Sequence, residues 1–292
     1  MAKQSVVSSY YALIKPGVTY GNVITVVAGY LFAATNNIDL QKIASVTVGM
    51  TLVIASACVI NNYLDSDIDR RMERTKKRPS VTGSVPAHRI MWFGISLFAF
   101  GFFILGVFTN FLTVVAAIIG YVTYVWLYGA LSKRRSVHGT IVGSVSGAMP
   151  IVAGYFAGHE AFDIGAIMLF SILFFWQFPE FYSIAIYRRH EYKAARVPVM
   201  TVVKGVPYTI KRIAVTTVAY VVATLSVNAA GLAGWTYGIV MGATGAYWIV
   251  LALRGLKTSQ DEYDQWARTM FRFSMVTILV LCVMLSVGRL LP

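Results

Sequence analysis

Nine stretches of about 18 to 22 mostly apolar residues, each long enough to cross a bilayer, follow one another along this chain. They fall at approximately 17–35, 43–61, 91–109, 111–131, 139–157, 164–186, 213–231, 235–253 and 271–288. In hydrocarbon the backbone must satisfy its own hydrogen bonds, so each stretch is expected to be a helix. The balance of residues agrees. Of 292 residues, 57% are hydrophobic and 13% charged, against about 25% charged in a soluble domain. The predicted fold class is all-α, a polytopic membrane bundle of about nine transmembrane helices, with 1–292 as a single intramembrane domain.

The formal net charge of +13 invites a nucleic-acid partner, but its distribution argues against one. With the amino terminus inside, Lys3, Lys15, Lys133 to Arg135 and the bases between Arg70 and Arg89, Arg188 and Arg212, and Arg254 and Arg272 all fall on the inner side. Of the 25 Lys and Arg, only Lys42 and Arg289 fall outside. This is the positive-inside asymmetry, and it predicts N-in, C-out topology with an odd number of spans. Outer connections are short (36–42, 109–110, 158–163 and 232–234), whereas inner ones are long and polar (64–90, 132–138, 187–212 and 254–270). The second and sixth spans each run into a carboxylate-bearing segment followed by a basic one. That layout suggests a weak internal four-helix repeat with a ninth helix appended. Cys58 and Cys282 lie in apolar spans and are read as buried small hydrophobes rather than a disulfide. No cleavable signal peptide is expected, and nothing suggests a zinc site.

Chemistry concentrates where the second span ends. Asn61, Asp65 and Asp69 are four residues apart. On a helix each step turns only about 40°, so three oxygen-bearing side chains line one face over roughly 12 Å. A few protein oxygens completed by phosphate and water are how Mg²⁺ is usually held. The cationic run Arg70 to Arg78 that follows suits an anionic leaving group. The plainer alternative is a solvated helix end whose acids pair with Arg70, Arg71 and Arg74. Asp67 points to the other face and is read as structural. A second cluster surrounds Glu180, an intramembrane carboxylate after Trp176-Gln177-Phe178-Pro179, and continues with Tyr187, Arg188, His190 and Glu191. A carboxylate at that depth must be neutralised, paired or metal-bound, and a loop arginine is the bland partner. Gly139, Gly143 and Gly147 read as close helix packing.

Several motifs together carry a resemblance. They are Asn61-x-x-x-Asp65-x-x-x-Asp69 with Met72-Glu73-Arg74-Thr75-Lys76-Lys77-Arg78-Pro79; Leu13-Ile14-Lys15-Pro16-Gly17 with Asn22; and Lys133-Arg134-Arg135-Ser136-Val137-His138-Gly139-Thr140. Ser146-Gly147-Ala148-Met149-Pro150 with Gly154-Tyr155, Trp176-Gln177-Phe178-Pro179, and Val197-Pro198-Val199 with Val203-Lys204-Gly205 complete the set. The chain resembles the intramembrane (UbiA-type) prenyltransferases, and among them the branch that farnesylates protohaem IX. It departs from the wider pattern in having Asn62 where many members carry Asp, and from that branch in having Glu180 where His is usual.

The resemblance implies a bundle in a bacterial cytoplasmic membrane, with its site open to the cytoplasm. Farnesyl diphosphate would be the donor, haem B the acceptor, and haem O and diphosphate the products. One or two Mg²⁺ ions would be held by Asn61, Asp65 and Asp69. Lys15, Arg74, Arg78, Lys133 and Arg134 would bind diphosphate, with Asp65, Asp69, Arg74, Lys133 and Glu180 as the catalytic set. Asn22, Tyr124, Tyr128, Glu180, Tyr187, Arg188 and Glu191 would line the substrates. Membrane lipid would surround the bundle, and a link to haem-copper oxidase assembly is implied. Three alternatives stay open: a quinone-type aromatic acceptor, an ion-coupled transporter, and haem binding without catalysis.

Overall fold

The computed structural model describes residues 5–34, 37–288 and 290–292. Lys3, Asn36 and Arg289, used above for charge and connections, lie outside the described residues. Among the described residues every regular element is helical. A short α1 (Val6–Leu13) precedes α2 (Pro16–Ala33) and α3 (Leu40–Leu64), after which come the short α4 (Ser66–Asp69) and α5 (Pro79–Thr82). Next are α6 (Ala87–Phe108) and α7 (Phe111–Val122), the latter widening into a π-helical segment, Thr123–Ser132, that ends in α8 (Lys133–Arg135). Then follow α9 (Gly139–His159), α10 (Ile164–Tyr187), the short α11 (Arg189–Ala194) and α12 (Met200–Lys204), α13 (Val206–Ala229), α14 (Trp235–Arg254) and α15 (Tyr263–Val287).

Eight of the nine expected spans coincide with helices long and apolar enough to cross a membrane. The exception is the first, where α2 has 18 residues and carries the polar Thr19, Asn22 and Thr25. Large apolar side chains cover the bundle's outside, among them Trp92, Phe100, Phe103, Trp126 and Ile239. A surface of that kind is compatible with lipid rather than water. The chain is a multi-pass membrane protein.

Two of the connections expected on the inner side are shorter than read from the sequence. Helix α13 starts at Val206 and α15 at Tyr263, so Lys211, Arg212, Arg268 and Arg272 ride on helical turns. Long basic stems lie along apolar surface while their charges reach water, and the helical backbone stays bonded throughout. The helices also continue through Pro150 and Pro179.

At the opposite end, side-chain caps fix where helices begin. Asp39 accepts from the backbone of Gln41 and Lys42, Asn110 from Thr113, and Asp163 from Ala166. Each satisfies amide protons that the first helical turn leaves free. Asp163 also accepts from the Tyr155 hydroxyl, and Lys42 pairs with Glu160.

Helices α2 and α9 meet backbone to backbone. A Cβ on Gly29 would overlap the Ile151 carbonyl, and one on Gly154 the Val26 carbonyl. Neighbour order agrees with the suggested repeat, since α3 packs on α6 as α10 packs on α13. Gly143 lies against the Tyr128 ring and Gly147 against the Gln177 side chain, so this stripe serves packing. Cys58 and Cys282 are buried and free.

Substituting Gly154→Ala should lower the thermal unfolding midpoint in detergent, by an overpacking cost of about 1–3 kcal/mol. Gly106→Ala, where an added Cβ meets nothing within 4 Å, should not. Equal midpoints for the two variants would contradict the close α2–α9 contact.

Candidate active site

Helix α3 ends one residue before Asp65, which forms the junction with α4. The helical repeat nevertheless carries through. The Asp65 amide donates to the Asn61 carbonyl at 2.9 Å, and the Asp69 amide to the Asp65 carbonyl at 2.8 Å. Asn61, Asp65 and Asp69 are only 2%, 1% and 3% exposed, so the expected stripe exists and is buried.

Each member of the stripe faces a cation from another part of the chain. Lys15 Nζ donates to Asn61 Oδ1 at 2.5 Å, Lys133 Nζ to Asp65 Oδ2 at 2.5 Å, and the Arg78 guanidinium to Asp69 Oδ2 at 2.6 Å. Arg70, Arg71 and Arg74 make none of these contacts, which removes the plainer reading of a helix end paired with its own neighbours. Lys15 is held between α1 and α2 in a left-handed conformation (φ 50°), and burial pushes its amine down to about 8.

The π-helical segment supplies the facing wall. Its wider turn presents Tyr124 and Tyr128 with ring centroids 6.0 Å apart, and the Tyr124 hydroxyl lies 3.4 Å from Asn61 Oδ1. Gly129 permits the approach, because a Cβ there would stand 3.2 Å from Asn61 Nδ2. Such π segments frequently occur at functional sites. Lys133 and Arg134 follow at its end. Arg134 grips Asp67 through two bonds of 2.8 and 2.7 Å, donates to the Leu64 carbonyl at 2.6 Å, and stands 4.0 Å from Asp65. The Arg134 hydrogen bond holds the Asp67 carboxyl down at about 2, and Asp67 is a structural partner, as expected.

The second cluster is arranged differently from the expectation. Glu180 lies half-buried on α10 and, among the described residues, makes no hydrogen bond or ion pair, so no loop arginine neutralises it. The Tyr187 ring is flanked by the guanidiniums of Arg188 at 5.4 Å and Arg268 at 4.7 Å. Arg188 pairs with Glu191 at 2.7 Å, while Glu191 Oε2 is buried without a partner. Among the described residues no hydrogen bond or ion pair joins Glu180, Tyr187, Arg188 or Glu191 to the stripe. Tyr192 lies near both clusters: burial raises its phenol, and Tyr128, Lys133, Arg74 and Arg188 act on it. Ile68 and Met72 beyond the stripe pack on Ala195 and Val197. Asn22 is spent on its own helix, donating to the Val18 carbonyl at 2.8 Å. Arg74 is exposed, as are His138 and His190.

Sequence reasoning missed four residues. Asn62 Nδ2 donates to the Leu13 carbonyl at 2.7 Å and pins α1 to α3. An Asp there would lack the donor. Thr75 Oγ1 donates to the Asp69 carbonyl at 2.9 Å. Gly129 and Tyr192 act through tertiary approach and leave no sequence signal.

The donor set suits a hard cation. Asp65 Oδ1 is buried without a hydrogen-bond partner, and after Lys133 is bound this oxygen meets only Arg134, at 4.0 Å. Among the described residues no three His, Cys, Asp or Glu cluster closely enough to hold an ion alone. One amide and two carboxylates therefore fit an ion whose shell phosphate and water complete.

The family described as the UbiA prenyltransferase family matches residues 22–276. The chain belongs to that family. Its relatives include the protoheme IX farnesyltransferase of Serratia proteamaculans, 43% identical over 281 residues, with 96% of this chain and 94% of that one covered. That of Cronobacter sakazakii is 42% identical over 286 residues, with coverage of 98% and 96%. Among solved structures, a digeranylgeranylglyceryl phosphate synthase superposes with a TM-score of 0.81 at 19% identity, covering 97% of this chain and 98% of that one. A UbiA homolog from Archaeoglobus fulgidus bound to DMAPP and Mg²⁺ gives 0.73 at 16% identity, covering 93% and 99%. These structures share the UbiA fold.

Removing one partner of a buried pair leaves an uncompensated charge, which costs about 3–5 kcal/mol. Lys133→Met should therefore lower the thermal midpoint markedly, and adding Asp65→Asn to it should recover most of the loss. A double variant no more stable than the single one would show that Lys133 does not neutralise Asp65.

Proposed function

We propose that this chain transfers a farnesyl group from farnesyl diphosphate to the 2-vinyl group of haem B, giving haem O and diphosphate. The observation that carries the chemistry is the buried Asn61, Asp65 and Asp69 stripe with a lysine or arginine on each member and one Asp65 oxygen left without a hydrogen bond. The acceptor is taken from the printed names of relatives that match over nearly the full length. A quinone-type acceptor has no comparable support. An ion-coupled transporter would hold its carboxylates near the midplane, whereas here the stripe lies at a helix end.

Asn61, Asp65 and Asp69 would hold Mg²⁺, which when bound neutralises diphosphate oxygens as a Lewis acid. Lys15, Lys133 and Arg78, released from the stripe residues they bind, donate charge-assisted hydrogen bonds to the leaving diphosphate. Arg74 and Arg134 extend that positive rim. As the C1–O bond of the farnesyl group breaks, its electron pair leaves with diphosphate and an allylic cation remains. Tyr124 and Tyr128 wall off water at this stage. The vinyl π electrons bond to C1, and the carbon beside the ring takes the oxygen of water, whose second proton is lost. Asn22, Glu180, Tyr187, Arg188 and Glu191 complete the substrate side of this proposal, with Glu180, unpaired on α10, facing the acceptor. The inner loops face the cytoplasm of a bacterial inner membrane, where charge asymmetry puts them. Supplying a haem-copper oxidase follows from the product.

Purified protein given haem B, farnesyl diphosphate and Mg²⁺ should yield haem of increased mass, and a chelator should abolish the product. Asp65→Ala should insert normally but lose turnover by about a thousand-fold, several kcal/mol of transition-state stabilisation. Unchanged haem alongside a prenylated aromatic acid would reassign the acceptor, and normal turnover by Asp65→Ala would reject the stripe. Glu180→His should remain active, and an inert variant would point to a metal-binding role instead.

A further inference from the structure

Where the segment after α3 packs on the segment after α11, a cleft of about 170 Å³ opens between them. Arg71, Arg134 and Arg196 line it together with Asp67, and Ile68 and Val197 form its apolar floor. Three guanidiniums against one carboxylate leave this lining with two uncompensated positive charges. Arg134 is committed to Asp67 and the Leu64 carbonyl. The guanidiniums of Arg71 and Arg196 make no hydrogen bond or ion pair among the described residues. Arg196 also holds a left-handed backbone (φ 58°), a conformation that costs a non-glycine residue about 1 kcal/mol or more. Its backbone would be more stable as glycine, yet a guanidinium stands there.

The cleft is not the diphosphate site. Lys15, Lys133 and Arg78 belong to the buried stripe, and only Arg134 reaches toward both, 4.0 Å from Asp65. Liquid water occupies about 30 Å³ per molecule, so the space admits an oxyanion that keeps some hydration. Planar guanidiniums match carboxylates in two-point geometry. Resting on the function proposed above, haem B is the anion-bearing substrate left to place, with two ionised propionates.

We propose that the Arg71–Arg134–Arg196 cleft binds a propionate carboxylate of the acceptor and so orients the ring toward the stripe. A phospholipid phosphate is the competing source of an oxyanion. The fixed pairing of Ile68 and Met72 with Ala195 and Val197 makes the cleft a preformed seam, so binding needs little reordering of either loop.

The test is an absorbance titration of the detergent-solubilised full chain with haem B and with haem B dimethyl ester. The wild type should bind the free acid about ten-fold more tightly, as expected for one hydrogen-bonded charged group. The double variant Arg71→Gln with Arg196→Gly should bring that ratio to about one without weakening diester binding. Its thermal midpoint should not fall, because glycine relieves the backbone at 196. An unchanged ratio in the variant, or no preference in the wild type, overturns the proposal. So does a variant that instead loses retention of phosphatidylglycerol in nanodiscs while the haem ratio holds, since the anion is then lipid. Farnesylation of haem B by the same wild-type preparation separates the two levels. Product with an unchanged ratio rejects the cleft alone, and absence of product rejects the acceptor itself.

Discussion

The ion pair between Asp65 and Lys133 is the contact on which the stripe-bearing end of this bundle depends. A carboxylate that is 1% exposed at the end of an apolar helix is tolerable only if a cation meets it closely. Lys133 meets that need only because α7 widens into the π-helical segment and ends at the same depth as α3. The same widening sets Tyr124 and Gly129 against Asn61. One electrostatic requirement therefore fixes the relative register of two spans. Lys15 repeats the arrangement from 46 residues upstream and Arg78 from the loop just after the stripe, so three cations converge on it.

The two ends of the molecule are built for different purposes. At the end opposite the stripe, α3, α7 and α10 begin at Asp or Asn caps and turns are short, so backbone needs are met locally. The Gly29 and Gly154 contacts bring α2 and α9 into direct backbone apposition. At the end that carries the stripe, the connections hold short helices such as α4, α5, α11 and α12, and side chains satisfy buried backbone carbonyls. Asn62 on the Leu13 carbonyl and Thr75 on the Asp69 carbonyl are such satisfactions. Rigidity at one end holds precise placement at the other.

Much of this was legible in the sequence, because bilayer thickness and backbone hydrogen bonding leave few choices. Apolar length placed nine spans and a helix forms at each, and four-residue spacing placed Asn61, Asp65 and Asp69 on one face. Helix α2 stands where 17–35 was expected but is less apolar than the other eight, because Thr19, Asn22 and Thr25 dilute it. The partners of the stripe were less legible. Nearest-neighbour reasoning offered Arg70, Arg71 and Arg74, whereas the cations that arrive are brought by tertiary packing. The π-helical widening has no compositional signature, and Tyr192 acquires its place only when two loops pack together. Glu180 was expected either to pair with a loop arginine or to serve the site, and only its lack of a pair separates these.

With each stripe residue bound through one oxygen to a lysine or arginine, the protein alone offers a divalent ion few vacant donors. An incoming diphosphate changes this by giving those cations a new anion to bind, which frees Asp65 and Asp69. Metal and diphosphate should therefore be taken up together. Electron paramagnetic resonance of Mn²⁺ added to the purified chain, with and without inorganic diphosphate, tests this most directly. The account predicts that the wild type removes Mn²⁺ from the free six-line spectrum, beyond what diphosphate alone removes, only when diphosphate is present, and that Asp65→Asn does not. Equal Mn²⁺ uptake by the wild type and Asp65→Asn would contradict it.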